Sequence, residues 1–311
     1  MKTQNIYVYL GGGLGNQLFQ YALARMISVK SENHPNIFLD QERYKKYTLR
    51  KCEIQKMKLC PEVSFLPNGL SGWKKIRFQV AIFFHRALFK ILPRHGAMKR
   101  FPDFIFQMMA RHGFLLDLDN YYHPIPFQKL LKKKNVFMYG FFQSPRYFQE
   151  IMPLLRSEFL PKAELSERAV YYAKILSSSP SVCLSFRCSD YKQLGFYLGD
   201  IDPQYFRYIN DHLNLNPSSV PSALFSEDPS MAKKEIPSSA SFLPAYELST
   251  LEQLFVMTQC TIYYLSNSTY SWWGAFLSSQ PNKLIFGPSC WFNGTKLKDI
   301  GLYDPTIEIV G

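Results

Sequence analysis

The chain has 311 residues, of which 47% are hydrophobic, which excludes an intrinsically disordered protein and is long enough for two domains of ordinary size. Its formal net charge of +12 favours an anionic ligand or surface as a partner. The six cysteines form no CxxC pair, and no histidine stands at metal-ligand spacing from them, so neither a zinc site nor a disulfide framework is indicated. We therefore expect reduced thiols in a cytosolic protein.

The first patterned segment joins a strand to a helix through a glycine-rich turn. Residues 6–10 have the character of a buried strand, residues 14–30 predict a helix, and residues 36–39 predict the next strand of a β-α-β unit. Four glycines among positions 11–15 allow close approach of the backbone to a ligand, and a helix N-terminus favours an anion. We expect Gly13, Gly15, Asn16 and Gln17 to contact a phosphate-bearing ligand. The spacing matches neither the Rossmann dinucleotide fingerprint nor a P-loop.

The region that follows is strongly basic. Residues 63–102 contain no aspartate or glutamate but eight lysines and arginines. Within it, residues 80–92 predict a helix that carries Arg86 and Lys90 one turn apart on an otherwise apolar surface. Such a helix can lie on anionic lipid, and the alternative is a buried helix with a basic, solvated stripe. Nucleic acid is not expected as a partner, because no recognised nucleic-acid module accompanies the charge.

Later segments predict a second set of strands and helices. Residues 136–140 predict a strand, and a helix is expected from about 145 to 159, followed by a linker at 161–166. Strands are then predicted at 182–186, 223–226, 261–265 and 284–287, and helices at about 203–213, 251–259 and 271–279. This alternation predicts two α/β domains. No segment reaches the ~20 apolar residues that a membrane span requires.

Polar residues follow the first two of those later strands. Arg187 and Asp190 come after strand 182–186, where an arginine beside a carboxylate is either a phosphate-binding group or part of a structural ion pair. Ser226, Glu227 and Asp228 end the next strand. Carboxylates there can accept hydrogen bonds from ribose hydroxyls or a guanine edge, or can cap the following helix.

A serine-rich turn joins strand 261–265 to the helix after it. Asn267, Ser268, Thr269 and Ser271 are hydrogen-bonding residues without charge at a helix N-terminus, a combination that suits a pyrophosphate. The alternative is an N-capped helix whose two tryptophans are core residues.

Together these motifs resemble glycosyltransferase family 11, the α1,2-fucosyltransferases that use GDP-fucose. The segment GGGLGNQLFQYA is similar to the family's N-terminal motif, FSEDP to its F-S-D-D segment, and SNSTYSWWGAFL to its Ser-Trp-Trp motif. The resemblance spans residues 6 to about 293. In one motif the chain departs from the family, because Ser185 and Cys188 replace the family's histidine and second arginine.

The resemblance implies a GT-B-like α/β fold of two Rossmann-type domains facing a cleft. Residues 1–160 would form the acceptor-side domain, with a basic helical insertion at about 63–112, and residues 161–311 the GDP-fucose-binding domain. The implied reaction is inverting transfer of L-fucose from GDP-β-L-fucose to the 2-hydroxyl of a terminal galactose. The acceptor would be an oligosaccharide such as a lipid-linked precursor of an O-antigen-like polysaccharide. The alternatives are a different acceptor hydroxyl, or a catalytically weakened saccharide- or nucleotide-binding relative.

The resemblance also implies roles for individual residues. Arg187 would stabilise the leaving pyrophosphate, with Asn16 as a neutral donor. Asp190 would act as general base or contact the acceptor hydroxyl, or would only orient Arg187 while a phosphate oxygen takes the proton. No carboxylate–histidine cluster is apparent from the spacing, so we expect activity without a metal or cofactor. We expect a cytoplasmic protein, peripheral on the inner membrane if the basic helix contacts lipid.

Overall fold

Two separate parallel sheets organise the chain. The computed structural model describes residues 4–46, 50–91, 101–119, 121–187, 203–215, 220–235, 241–292 and 295–310. The chain divides into two units, Met1–Glu158 and Phe159–Gly311, and each contains a five-stranded sheet in which every pair of neighbouring strands is parallel. The predicted α/β class is confirmed. The expected boundary at residue 160 lies close to this division.

The sheet of the first unit winds in two directions. Its strands are Asn5–Tyr9 (β1), Asn36–Asp40 (β2), Val63–Leu66 (β3), Phe114–Leu116 (β4) and Asn135–Tyr139 (β5). They are arranged in the order β3-β2-β1-β5-β4. The chain therefore adds β2 and β3 on one side of β1, and β5 and β4 on the other. The direction of winding reverses between β1 and β5, and such reversal points are where open α/β sheets bind ligands.

Helices of the first unit pack on a sheet that is buried on both faces. They are Leu14–Lys30 (α1), Glu42–Lys46 (α2), Gly72–Ile91 (α3), Phe101–Arg111 (α4), Phe127–Leu130 (α5) and Met152–Glu158 (α6). Tyr7 and Phe137 of the sheet pack with Phe78 of α3 in one apolar cluster. Ile6 and Val8 alternate with Tyr7 along β1, and they are also buried.

Four elements of the first unit differ from the sequence prediction. The helix expected from 145 begins instead as two 3₁₀ turns, Pro145–Tyr147 and Gln149–Ile151, and α6 starts only at Met152. Phe148, between the turns, has φ −148°, which interrupts helical geometry. The helix expected at 80 begins eight residues earlier, at Gly72. The edge strands β3 and β4 were not predicted, because four and three residues carry too little periodicity.

The sheet of the second unit also winds in two directions. Its strands are Val182–Phe186 (β6), Ser222–Ser226 (β7), Ile262–Tyr264 (β8), Leu284–Pro288 (β9) and, after an antiparallel hairpin of Cys290–Phe292 (β10) and Thr295–Lys296 (β11), Ile307–Val310 (β12). The order is β12-β9-β8-β6-β7. β7 lies on one side of β6 and all later strands lie on the other, so the winding reverses between β6 and β8.

The helices of the second unit hold the serine-rich turn in place. They are Glu167–Ser177 (α7), Pro203–Leu215 (α8), Pro229–Glu235 (α9), Thr250–Met257 (α10) and Thr269–Leu277 (α11). Trp272 and Trp273 of α11 are fully buried, so both are core residues. A Cβ on Gly274 would lie 2.7 Å from the Met257 sulfur, which shows how closely α10 and α11 pack. This packing fixes where α11 begins. None of the helices in the described part of the chain combines the length and apolar character of a membrane span.

Candidate functional site

Three of the predicted residues meet at the carboxyl edge of the second unit's sheet. Arg187 follows β6, and its Nη1 donates to the Ser268 hydroxyl at 2.8 Å. Its Nε lies 2.9 Å from a carboxylate oxygen of Glu227, which follows β7. Because β8 leads into Ser268, the contacts span the β6/β8 reversal point, where an open sheet binds ligands. Three sequence clusters that are far apart in the chain therefore form one site.

The guanidinium of Arg187 is shielded but accessible. The Arg187 side chain is 18% exposed and that of Glu227 is 36% exposed. The N-terminus of α11, capped by the Ser268 side chain, adds the positive end of a helix dipole beside the guanidinium. An anion at this edge would share Arg187 with Glu227 and meet the helix N-terminus at the same time. The arrangement suits a diphosphate better than a neutral ligand.

Inside the serine-rich turn, most hydroxyls bond to one another. Ser271 is buried and donates to the Ser268 carbonyl at 3.0 Å. Ser266 lies 3.0 Å from Ser185 and 3.3 Å from Ser271, measured between hydroxyl oxygens. The Asn267 amide donates to the Trp291 carbonyl at 3.2 Å. Ser271 and Asn267 therefore shape the turn from within, Thr269 begins α11, and Ser268 is the residue that contacts Arg187.

The residues after β7 divide between two roles. Glu227 pairs with Arg187, as described above. Asp228 accepts hydrogen bonds from the Ser230 hydroxyl at 2.7 Å and the Met231 backbone at 3.0 Å, so it caps α9. The Ser226 hydroxyl accepts from the Asp228 backbone at 3.1 Å. The capping alternative considered for Asp228 therefore matches the structure. Asp190 and Cys188 lie outside the described residues, and the predicted role of Asp190 stays a prediction.

The glycine-rich turn of the first unit lies at the other reversal point, beside β1 and β5. Gly12 has φ 76°, and a Cβ there would collide with the Asn16 amide. Gln17 is fully buried and donates to the Gly12 and Lys51 carbonyls at 3.1 and 2.8 Å. Its side-chain oxygen accepts from the backbone of Glu53 and Ile54 at 3.0 and 3.1 Å. Gln17 therefore fastens the turn to a neighbouring loop.

Asn16 is the more accessible amide of this turn. Its side-chain oxygen accepts from the Gln143 amide, which follows β5, at 2.8 Å. Among the described residues no side chain caps α1, whose N-cap is Gly13, and Gly15 lies in its first turn. The first turn of α1 thus carries the Asn16 amide, and contact of this turn with an anion stays a prediction.

Sequence reasoning missed two arginines that lie against this turn. Arg43 Nη1 would be 2.7 Å from a Cβ placed on Gly11, and Arg50 Nε would be 3.8 Å from one on Gly13. Arg43 lies in α2 and Arg50 in the segment that follows it, so only tertiary placement brings them to residues 11–13. They give the turn positive charge that its own sequence lacks.

A carboxylate–histidine cluster, not apparent from the spacing, lies elsewhere in the first unit. His123 Nδ1 is 2.7 Å from Asp103 Oδ1 and Nε2 is 2.8 Å from Asp119 Oδ1. Asp117, Asp119 and His123 each have one possible metal-ligand atom within 4.8 Å of the others. Burial lowers the pKa of His123, but the hydrogen bonds and charge of the carboxylates outweigh it and raise the pKa to about 9. Both ring nitrogens of the imidazolium are thus bonded to carboxylates, which makes the cluster a buried ion pair.

Comparison with known proteins places the chain among related sequences. A family model described as Glycosyl transferase family 11 matches residues 5–290. An alpha-1,2-colitosyltransferase of Escherichia coli is 26% identical and covers 96% of this chain and 95% of its own length. The O-antigen biosynthesis glycosyltransferase WbnK of Escherichia coli is 25% identical, with 93% and 95% covered. The crystal structure of fucosyltransferase NodZ from Bradyrhizobium is 12% identical, has a TM-score of 0.48, and the similarity covers 88% of this chain and 92% of that one.

Proposed function

Because the chain belongs to glycosyl transferase family 11 and is therefore a glycosyltransferase, we propose that it moves L-fucose from GDP-β-L-fucose to the 2-hydroxyl of a terminal galactose, with inversion. The observation that carries the donor assignment is the contact of Arg187 with Ser268 and Glu227 at the β6/β8 reversal point. A guanidinium beside a helix N-terminus suits a nucleotide diphosphate. Under this proposal residues 161–311 bind the donor and residues 1–160 serve the acceptor.

Departure of GDP is the step that this site would assist. Negative charge grows on the diphosphate as the glycosidic bond breaks, and a fixed guanidinium with a helix dipole stabilises that charge without reorganising. Ser268 holds Arg187 in position through the 2.8 Å hydrogen bond. Asn16 keeps the role that the family resemblance implies for it, that of a neutral hydrogen-bond donor.

We propose that the reaction needs no metal ion. Arg187 and the start of α11 supply the positive charge that a divalent ion would bring to the diphosphate. The Asp117, Asp119 and His123 group has metal-ligand proximity, but its imidazolium already compensates the carboxylates. Asp190 remains the proposed general base or acceptor contact, and transfer of the proton to a phosphate oxygen is the alternative.

Transfer of colitose is a second candidate, and it rests on a specific observation. The colitosyltransferase that matches this chain aligns over 96% of it. Colitose is fucose without the 3-hydroxyl, so the same diphosphate site would serve either nucleotide sugar. Discrimination would then depend on one hydroxyl of the donor, for which a site that hydrogen-bonds the 3-hydroxyl would favour fucose.

A donor panel tests the proposal. Purified protein is incubated with GDP-fucose, GDP-colitose or GDP-mannose and a set of galactose-terminated oligosaccharides, with and without EDTA, and the product linkage is assigned by NMR. We expect an α1→2-linked fucosyl galactoside, formed equally well with chelator. Preference for GDP-colitose would establish the second candidate. GDP binding without turnover of any donor would instead identify a weakened relative, in line with the departures at Ser185 and Cys188. Metal-reversible loss of activity with EDTA would contradict the metal-free reaction.

We further propose that the protein works at an anionic membrane surface on a lipid-linked acceptor. Helix α3 exposes a row of large apolar side chains, with Trp73 77%, Phe83 69% and Phe84 58% exposed, and Ile76 and Val80 continue the same stripe. Residues three or four apart share one helix face. Such a stripe inserts into the headgroup boundary, and the acid-free composition of residues 63–102 complements anionic lipid.

The bases of α3 are placed differently from the sequence prediction. Arg86 was expected beside Lys90 on the lipid-facing surface, but its Nη2 donates to the Tyr139 hydroxyl at 2.7 Å and its guanidinium lies over that ring. The side chain of Lys90 lies outside the described residues. Lys74 and Arg77 also reach the sheet, at Tyr7 and Phe114. The proposed contact with lipid is therefore formed by the exposed apolar side chains of α3, while these bases contact the sheet.

Tryptophan emission reports this contact directly. Trp272, Trp273 and Trp291 lie in the described part of the chain and are buried, whereas Trp73 is exposed. With vesicles that contain phosphatidylglycerol, we expect a shift of emission to shorter wavelength that Trp73→Phe abolishes and salt weakens. Phe84→Ser should reduce sedimentation with those vesicles, and Tyr171→Ser, an exposed aromatic of the second unit, should not. Equal binding to neutral vesicles, absence of binding, or lipid-independent dimers lost in Phe84→Ser would contradict the proposal.

A further inference from the structure

A cavity of about 400 Å³ lies in the first unit beyond the carboxyl ends of three neighbouring strands. Tyr9, Asp40 and Tyr139 are the last residues of β1, β2 and β5, and all three line it. They lie side by side in the sheet, with Tyr9 paired to Asp40 on one side and to Tyr139 on the other. The volume falls in the range of small-molecule sites. The cavity therefore occupies the edge at which an open parallel sheet binds ligands.

Helix α3 forms the opposite wall of this cavity. The lining residues recur at helical spacing, so one face of α3 points into the cavity. These residues are Lys75, Phe78, Gln79, Ile82, Phe83 and Arg86. Helix α3 belongs to the basic insertion at about 63–112. This wall of the cavity therefore comes from the domain that is expected to bind the acceptor.

The floor of the cavity is aromatic. Tyr9 and Tyr139 stack with ring centroids 5.6 Å apart, and Phe78 meets each of them edge-on at 6.4 Å. Burial, with a smaller contribution from Asp40, raises the pKa of Tyr9, so its phenol stays protonated and can both donate and accept a hydrogen bond. Flat rings that carry hydroxyls suit the C–H faces and hydroxyls of a sugar ring.

The cavity is lined by two carboxylates and three cations, which are Asp40, Glu42, Arg43, Lys75 and Arg86. Lys75 pairs with Glu42 at 2.6 Å, and Asp40 accepts backbone hydrogen bonds from Glu42 and Leu70, each at 2.9 Å. Arg86 gives one N–H to Tyr139, which leaves other N–H groups of its fork for a ligand. Carboxylates among the cations, with aromatic rings and a few polar groups, favour a neutral, hydroxyl-rich ligand.

We propose that this cavity binds the non-reducing end of the acceptor, as a neutral galactose-terminated disaccharide. This inference rests on the proposed transferase function and assigns the acceptor to one cavity of the first unit. Arg43 lines the cavity and also lies against Gly11, so the cavity adjoins the glycine-rich turn. The aromatic floor packs against the sugar ring, while Arg86, Gln79 and Tyr9 bond its hydroxyls.

Two kinds of measurement test the cavity, on the full chain. Gln79→Ala and Arg86→Ala change exposed rim residues, so folding should be preserved. Tyr171→Ser, an exposed aromatic residue of α7 outside the lining, is the control. With GDP-fucose as donor and lactose as acceptor, we expect the KM for lactose to rise about tenfold in each rim variant, equivalent to ~1.4 kcal/mol, and the KM for GDP-fucose to stay within about twofold. All assays use lipid-free buffer.

Binding of lactose without turnover separates this inference from the proposed function. Saturation-transfer NMR should show lactose binding to the wild type and to Tyr171→Ser, and weaker binding to both rim variants. That result supports the cavity even if no donor is turned over, in which case the proposed function alone fails. Lactose binding or lactose KM that is unchanged in both rim variants would overturn the cavity assignment, even where GDP-fucose is consumed.

Discussion

Both units place a strand–turn–helix segment at the point where the winding of their sheet reverses, but the polar residues of the two turns point in different directions. In the second unit, Ser268 and Glu227 hold the guanidinium of Arg187 at the sheet edge. In the first unit, Gln17 is fully buried and makes four hydrogen bonds to backbone groups. Polar residues at such turns thus either face a ligand or secure the turn itself. Which role a residue has depends on its contacts.

The largest effect is expected from the residue that faces the ligand. Arg187→Ala should reduce kcat/KM for the donor by about 100- to 1,000-fold, because the cation at the leaving diphosphate is lost. The free energy of unfolding of the Arg187→Ala variant should differ from that of wild type by less than about 1 kcal/mol, since the Arg187 side chain is partly exposed. Arg168→Ala removes an exposed Arg–Glu pair of the same unit and is the matched control, expected within about twofold of wild type. If Arg168→Ala lost as much kcat/KM as Arg187→Ala, the claim that Arg187 faces the donor would be wrong.

The same position distinguishes fork geometry from charge. Arg187→Lys keeps a cation but cannot contact Ser268 and Glu227 as a planar fork, so we expect a rate at least about tenfold below wild type, or ~1.4 kcal/mol. Steady-state kinetics with GDP-fucose give this value. Turnover near that of wild type would place the diphosphate elsewhere.

The inward-facing amide should affect stability. Gln17→Ala leaves the part-buried N–H of Glu53 and the buried N–H of Ile54 without their acceptor, and we expect the free energy of unfolding in urea to fall by about 2 to 4 kcal/mol. Asn16→Ala removes one hydrogen bond, from Gln143, and should cost about 1 kcal/mol while lowering turnover. If Gln17→Ala were as stable as wild type but inactive, Gln17 would face a ligand as Arg187 does. The contrast between the two turns would then be wrong.

The ion pair of the first unit makes the stability of that unit depend on pH. The pKa of His123 is raised to about 9, so the stability it contributes is fully present below about pH 6.5 and is lost as the pH rises through 9. The expected loss is about 3 kcal/mol, and His123→Gln should show no such slope. Urea unfolding at several pH values measures it. Identical pH profiles for variant and wild type would show that His123 is not held as an imidazolium.

The smallest effect concerns the family histidine that this chain replaces. Ser185 contributes one hydrogen bond to Ser266, at 3.0 Å. Ser185→Ala should therefore cost about 1 kcal/mol of stability and change turnover by less than about threefold. Thermal unfolding and kinetics measure both. A loss as large as that of Arg187→Ala would make the hydroxyl part of the donor site.

Much of this fold is visible in the sequence, because β1, β5 and β6 are largely apolar runs of five residues. The helix Leu14–Lys30 and the strand Val182–Phe186 match their predicted bounds. The edge strands β3 and β4 are too short to show a period. Helix ends differ from their predicted positions where the backbone leaves helical geometry, as at Phe148.

The sequence predicted which residues belong to the candidate site, but not the direction in which each side chain points. Motifs identified Arg187 and Ser268, and the structure brings them together. They could not show that Gln17 points inward or that Arg86 turns towards Tyr139, since packing decides both. Arg50 reaches the glycine-rich turn from a later loop, so no local pattern could reveal it.

The most direct test of the donor assignment is calorimetric titration of GDP into wild type, Arg187→Ala and Arg86→Ala. Arg187 lies at the reversal point of the second unit's sheet, whereas Arg86 lines the cavity of the first unit. We predict that GDP binds the wild type and Arg86→Ala with Kd values within about twofold of each other, and that Arg187→Ala binds at least about thirtyfold more weakly, equivalent to about 2 kcal/mol. An unchanged Kd for Arg187→Ala, or a loss confined to Arg86→Ala, would contradict the assignment of GDP to the second unit.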